Sequence, residues 1–214
     1  MKKRIKNTLI LIAIPIIIFI LGHIGIYTYC YLTPKIEINK SQSYYLYDNN
    51  NNLVSGFEDN WVSLEEISPH LINATLNTED KYFYKHIGFD YLRIVKAIAT
   101  NIVNKNKSEG ASTITQQYAR NLFLNFDKTW KRKLDEALLA CELETHYTKN
   151  EILEGYLNTI NYGGVFGIES AAKYYFGKSA KELNLEEATM LAGIPQSPNN
   201  YSPVKNYNLS RERQ

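Results

Sequence analysis

Thr78-Glu79-Asp80-Lys81-Tyr82-Phe83-Tyr84-Lys85-His86-Ile87-Gly88-Phe89-Asp90 holds the densest chemistry in the chain. Two adjacent carboxylates sit beside an aromatic cluster, followed by His86 and then Gly88. A carboxylate against apolar rings is poorly solvated, so its pKa rises toward the range useful for proton transfer. Glu79 is therefore a candidate general acid or base. Taken alone, these residues fit equally well a helix end with solvated acids and packed aromatics.

Toward the N-terminus, Ser68-Pro69 opens a helix through about Leu76, with Ser68 as cap and proline at its first position. That helix delivers the chain to Glu79. Farther back, Pro34 to Asn60 is a joining region. In it, Tyr44-Tyr45-Leu46-Tyr47 and Leu53-Val54 flank the polar run from Asp48 to Asn52, which reads as a weak hairpin. The first six residues, Met1-Lys2-Lys3-Arg4-Ile5-Lys6, include four basic side chains, and no formal charge follows from Asn7 to Pro34. Leu9 to Tyr27 is mainly Ile, Leu, Ala, Phe and Gly, and as a helix that run spans a hydrocarbon core of about 30 Å. The basic head should stay cytoplasmic, which puts everything after Leu32 outside, with Tyr27, Tyr29 and Tyr31 at the outer interface. A cleaved signal peptide is the competing reading, but the run is long and lacks an Ala-x-Ala site.

Toward the C-terminus, Leu92, Val95, Ile98, Ala99 and Ile102 repeat at helical spacing, the pattern of a core helix ending near Asn104. The polar loop Lys105-Asn106-Lys107-Ser108-Glu109-Gly110 leads to Ser112 or Thr113 as the cap of the next helix. The free amides of that helix start favour an anion such as phosphate. Arg120 follows Gln117 on the same face, and Asn121 to Phe126 is apolar enough to lie near a membrane or in the core. From Trp130 to Tyr147, Arg132 and Lys133 stand one helical turn from Glu136, and Leu134, Leu138 and Cys141 form the expected buried stripe. Without further context, those charges read as a solvated face with helical ion pairs. Thr148-Lys149-Asn150-Glu151 is a capping box. Gly155 inside the helix that follows costs about 1 kcal/mol relative to alanine. Gly163-Gly164 forms a turn, Ala171 and Ala172 suit a close helix crossing, and Gly177 suits a C-terminal cap. Asn184 caps a last helix from Leu185 to Ala192.

With 214 residues the chain can hold one domain of ordinary size plus an anchor. A net charge of +2 is too small to argue for nucleic acid. Cys30 and Cys141 make no metal or redox motif, read as small apolar residues, and are expected to form no disulfide. His23, His70 and His146 stand isolated, with no chemical role expected.

The spacing Glu79-Asp80-x-x-Phe83-x-x-His86-x-Gly88-x-Asp90 resembles the first motif of the peptidoglycan glycosyltransferases, glycosyltransferase family 51. Gly110-Ala111-Ser112-Thr113-Ile114-Thr115-Gln116-Gln117 is similar to the second motif, and Arg132-Lys133-x-x-Glu136 to the third. Ile152-Leu153-Glu154-Gly155-Tyr156-Leu157-Asn158 and Gly167 to Lys178 resemble the fourth and fifth, with Gly155 at a variable position. The resemblance covers about Ser55 to Pro203.

It implies a mainly α, lysozyme-like domain over residues 61–214, with a larger head and a small membrane-embedded jaw. Residues 35–60 would join that domain to a basic head and single transmembrane helix over residues 1–34. The implied place is the bacterial plasma membrane, with the N-terminus cytoplasmic and the domain outside. The implied reaction polymerises lipid II into β-1,4 glycan with inversion, releasing undecaprenyl pyrophosphate. Glu79 would be the base, with Lys133 and Glu136 as further catalytic residues. Arg120, Arg132 and Lys133 would neutralise phosphate charge, and Glu136 would orient them or help hold a divalent cation, Mg or Mn. Asp80, Phe83, His86, Ser112, Thr113, Gln117 and Asn121 would complete the substrate site, with no organic cofactor. The implied partners are lipid II, the growing lipid-linked glycan, the membrane, and proteins of cell-wall synthesis and division. Two rivals stay open: a lysozyme-like glycan-cleaving enzyme and a non-catalytic membrane scaffold. The end at Arg211-Glu212-Arg213-Gln214, with no Ser-x-x-Lys set, fits a monofunctional enzyme, a truncated one, or the front of a bifunctional penicillin-binding protein.

Overall fold

The computed structural model describes residues 2–38, 40, 44–57, 60–104, 110–123 and 129–214. Helix α1, Lys2–Leu32, is the apolar N-terminal run, and Ala13–Leu32 within it is long and apolar enough to cross a membrane. Pro15 is accommodated inside it. A hairpin follows, β1 (Tyr44–Tyr47) with β2 (Leu53–Phe57), antiparallel with Tyr44 opposite Phe57 and Tyr47 opposite Leu53. Asp48 closes its turn by accepting the Asn50 and Asn52 N–H groups, both at 2.8 Å. The polar run thus acts as the expected turn.

The remaining helices are α2 (Pro69–Glu79), α3 (Tyr91–Asn104), α4 (Ile114–Phe123), α5 (Trp130–His146) and α6 (Lys149–Thr159). They are followed by α7 (Ile168–Phe176), α8 (Leu185–Gly193) and α9 (Tyr207–Arg213). The domain is mainly α, as a lysozyme-like domain should be. Helix α4 lies between α5 and α6, α2 packs on α8, and α1 lies along α5. One continuous core includes Leu71, Phe83, Ile114, Tyr118, Leu143, Leu153, Tyr156, Tyr162 and Leu191. The capping box at Thr148 forms as read, Asn184 caps α8 and is joined there by Glu187 in a second capping box, and Gly177 closes α7 in the left-handed conformation with φ 67°.

Four expectations are corrected. Helix α3 is not a core helix: Leu92 is 82% and Val103 79% exposed, Val95, Ile98 and Ile102 are exposed too, and Ala97 is its buried residue. Periodicity sorts a helix into faces but does not say what covers the apolar one. The stripe of α5 is also misplaced. Leu134 and Leu138 are exposed, while Glu136, Ala140, Cys141 and Leu143 face inward. Ser68 stands at the N-cap position, but its hydroxyl donates to the Leu183 carbonyl at 2.7 Å instead of capping α2. His23 and His146 are not isolated. His146 Nε2 lies 2.9 Å from the Cys30 carbonyl, and His23 meets the Tyr91 hydroxyl. The loop residues 105–109 and the apolar residues 124–126 lie outside the described residues.

Candidate active site

Helix α2 ends at Glu79, and the chain turns through Asp80 into a 3₁₀ turn, Phe83–Lys85. The turn is drawn in by Asp80. Its buried carboxylate receives His86 Nε2 at 3.0 Å and the Ile114 N–H at 3.0 Å, and the residue is 1% exposed. The first amide of α4, read above as an anion site for substrate, is therefore taken by a carboxylate of the protein itself. Thr113 caps the same helix, with Oγ1 accepting from the Gln116 N–H at 3.2 Å and donating to the Gly88 carbonyl at 2.7 Å. Gly88 carries a φ of +73°, which a residue with a side chain adopts poorly. A Cβ there would also stand 3.3 Å from Glu144 Cγ. Phe83 belongs to the core, with Lys149 Nζ 4.3 Å above its ring. Asp80, Phe83, His86 and Thr113 thus bind the first block to the second, and their polar contacts are made within the protein.

Glu79 is 8% exposed. Its Oε2 accepts from Gln117 Nε2 at 2.8 Å, and its backbone carbonyl accepts from Arg93. Gln117 Oε1 in turn receives the Tyr156 hydroxyl at 3.3 Å. Burial, together with the charge of Glu79, raises the fully enclosed Tyr156 phenol well above its ordinary value and also raises Tyr162.

One turn of α5 assembles the second charge cluster. Glu136 is 0% exposed, with Arg132 Nη1 at 2.5 Å from Oε2 and Lys133 Nζ on Oε1. Lys133 also donates to Ser112 Oγ at 3.0 Å, which joins the second and third blocks. The carboxylate is buried and its two cations are part-exposed, which differs from the fully solvated face that the bare helix pattern suggested. Both oxygens of Glu136 are occupied by cations, so it does not fit as a metal ligand. Among the described residues no cluster of three or more His, Cys, Asp or Glu is arranged to hold a metal.

Glu79 lines one cavity, and its partner Gln117 lines another. One of about 370 Å³ is lined by Gln117, Arg120, Asn121, Arg132, Asn161 and Gln196. The other, about 490 Å³, is lined by Glu79 itself with Lys81, Arg93, Lys96, Gln196 and Arg213. Lys81, Lys96 and Arg213 have no ion pair with another described residue. The second cavity and Gln196 escaped sequence reading. Gln196 lies in a Pro195-Gln196-Ser197-Pro198 run that looks like simple chain closure, and Lys96 sits on a helix read as core.

A held carboxylate lining one cationic cavity, with its partner Gln117 lining a second, suits transfer of a group away from an anionic leaving group. The class follows from comparison: the chain belongs to the transglycosylase family, whose model matches residues 49–214. Penicillin-binding protein 2D of Bacillus subtilis is 48% identical over 184 residues, covering 85% of this chain and 27% of that protein. Penicillin-binding protein 1A of Clostridium tetani is 44% identical over 173 residues, covering 77% of this chain and 22% of the relative. A protein of Cupriavidus necator named as a transglycosylase is 45% identical over 155 residues, with coverage of 72% and 67%. The chain spans less than a third of the length of the penicillin-binding proteins it matches. It carries a peptidoglycan glycosyltransferase domain.

Proposed function

We propose that the chain is a membrane-anchored enzyme that polymerises lipid II. The carrying observation is Glu79, buried at the end of α2, held on one oxygen and lining an open cavity. In this reading the acceptor lipid II enters the 490 Å³ cavity, where Lys81, Lys96 and Arg213 meet its pyrophosphate. The donor, the growing glycan on its lipid pyrophosphate, occupies the 370 Å³ cavity beside Arg120 and Arg132.

Glu79 takes the proton of the acceptor 4-hydroxyl as that oxygen attacks the donor C1 from the face opposite the leaving group. The C1–O bond to pyrophosphate breaks, the configuration inverts, and undecaprenyl pyrophosphate leaves. Arg120, Arg132 and Lys133 neutralise the charge developing on it, the guanidinium groups by planar paired contacts and the ammonium as a point charge. Glu136 holds Arg132 and Lys133 in place. The exposed apolar face of α3 rests in the outer leaflet, close to where a lipid-linked substrate emerges.

The test is incubation of the detergent-solubilised full chain with labelled lipid II, followed by product length on a gel. Growing polymer is expected. Shortening of preformed glycan would mark a cleaving enzyme, and binding without turnover would mark a scaffold.

A further inference from the structure

Tyr156 has no role in the reaction as described so far, yet it is fully buried and its hydroxyl points along the one chain of hydrogen bonds that reaches Glu79 Oε2 among the described residues. We propose that Tyr156 is a positioning residue: acting through Gln117, it holds Oε2 of Glu79 and leaves Oε1 as the oxygen that takes the acceptor proton. The proposal rests on Glu79 being the base.

The direction of the chain follows from donor and acceptor chemistry. An ionised carboxylate only accepts, so Gln117 must present its Nε2–H to Oε2. Its Oε1 then faces Tyr156, which must donate. Burial and the charge of Glu79 both keep the phenol protonated, so the donor persists across the working pH range. If Gln117 turned over, its carbonyl would stand against the carboxylate. The tyrosine hydroxyl opposes that rotation. Oε1 of Glu79 has no hydrogen-bond partner among the described residues, and Glu79 lines the 490 Å³ cavity. The position before Tyr156 enables the contact. Gly155 has no side chain where the Tyr118 phenol packs, so α4 and α6 approach closely enough for Tyr156 to reach Gln117.

Other charges also bear on Glu79. Asp80 is its chain neighbour, Arg93 reaches its carbonyl from α3, and Arg120 on α4 and the Tyr162 phenol complete the interior side. Lys81, Asp90, Lys96 and Arg213 stand around the cavity. None of these is altered by removing one hydroxyl from Tyr156, so a change in pH response of that variant reports the Gln117 contact.

Tyr156→Phe keeps the ring and deletes the donor. Single-turnover coupling of labelled lipid II by the full chain, at equal site occupancy, should slow about fivefold near neutral pH, the equivalent of one buried hydrogen bond. The acid limb of its pH–rate profile should move to higher pH, because the freed amide can turn its carbonyl toward the carboxylate and disfavour the ionised form. Gln117→Leu should shift the limb the same way, and the double variant should be no slower than Gln117→Leu alone. If Tyr156→Phe does not fold, Gln117→Leu and Gln117→Glu carry the same test, the second with the larger shift. A profile superimposable on the parent's, or additive effects in the double variant, would overturn the relay while leaving Glu79 as base. Undiminished coupling by Glu79→Gln in the same assay would instead overturn the reading on which the relay rests.

Discussion

Lys133 is shared between two structural blocks, with its ammonium on Glu136 and 3.0 Å from Ser112 Oγ. Its removal should therefore strip charge from the proposed leaving-group site and leave buried Glu136 with one cation fewer. Lys133→Ala is expected to abolish most turnover and to weaken binding of pyrophosphate-like inhibitors such as moenomycin, and Lys133→Arg to restore part of each, as measured by coupling rate and inhibitor titration. Unchanged inhibitor affinity in Lys133→Ala would move the pyrophosphate site elsewhere. At this scale the contacts of Arg132 and Lys133 with Glu136 were legible, because side chains three and four positions apart meet on one helix face. What the sequence left hidden is direction. Asp80 is adjacent to Glu79, but its carboxylate is spent on an amide 34 residues away, and Thr113 serves the carbonyl of Gly88. Such long-range partners have no local signature.

The helices are set by caps, and the caps make their own predictions. Glu151 and Glu182 are held below the ordinary glutamate range by the backbone N–H groups of Thr148 and Ser179, and Glu187 by the Lys178 ammonium. A carboxylate with a depressed folded-state pKa adds stability above its unfolded value that is lost as pH falls through the folded one. The melting temperature should therefore hold above about pH 5 and fall below about pH 4. Glu151→Gln should flatten part of that fall. Gly155→Ala is a sharper case. A Cβ at that position would fall inside the Tyr118 phenol, so the variant should lose about 1–3 kcal/mol by denaturant titration, where helix propensity alone would favour it. The resemblance marks that position as variable, so its packing role was not visible before Tyr118 was placed against it. Capping boxes are legible because all their partners lie within three residues. The exposed faces of α3 and α5 were not, because apolar spacing is the same whether or not other parts of the protein cover it.

At the scale of the molecule, the apolar helix α1 is packed against the rest of the chain as well as tied to it. The Tyr27 hydroxyl donates to the Ile87 carbonyl at 2.5 Å, beside the first motif, and α1 lies along α5. Removal of residues 1–32 should leave a folded domain with weaker lipid II use that still binds vesicles through α3, whose Leu92, Val95, Ile102 and Val103 are exposed. Changing those four residues to serine in the truncated chain should release it from vesicles in a flotation assay. Continued flotation would put the membrane face elsewhere. The long apolar helix at the N-terminus could be read from one uncharged run. The docking of α1 could not, since it depends on single polar atoms meeting across 60 residues.

Glu79→Gln decides whether Glu79 removes the acceptor proton. The amide keeps the size of the side chain but cannot accept that proton, and positioned bases contribute about 10²–10⁴-fold. In single-turnover coupling of lipid II, with site occupancy equalised by inhibitor binding, the variant should fold, bind and slow by about that factor. Near-parental coupling at equal occupancy would show that Glu79 is not the base.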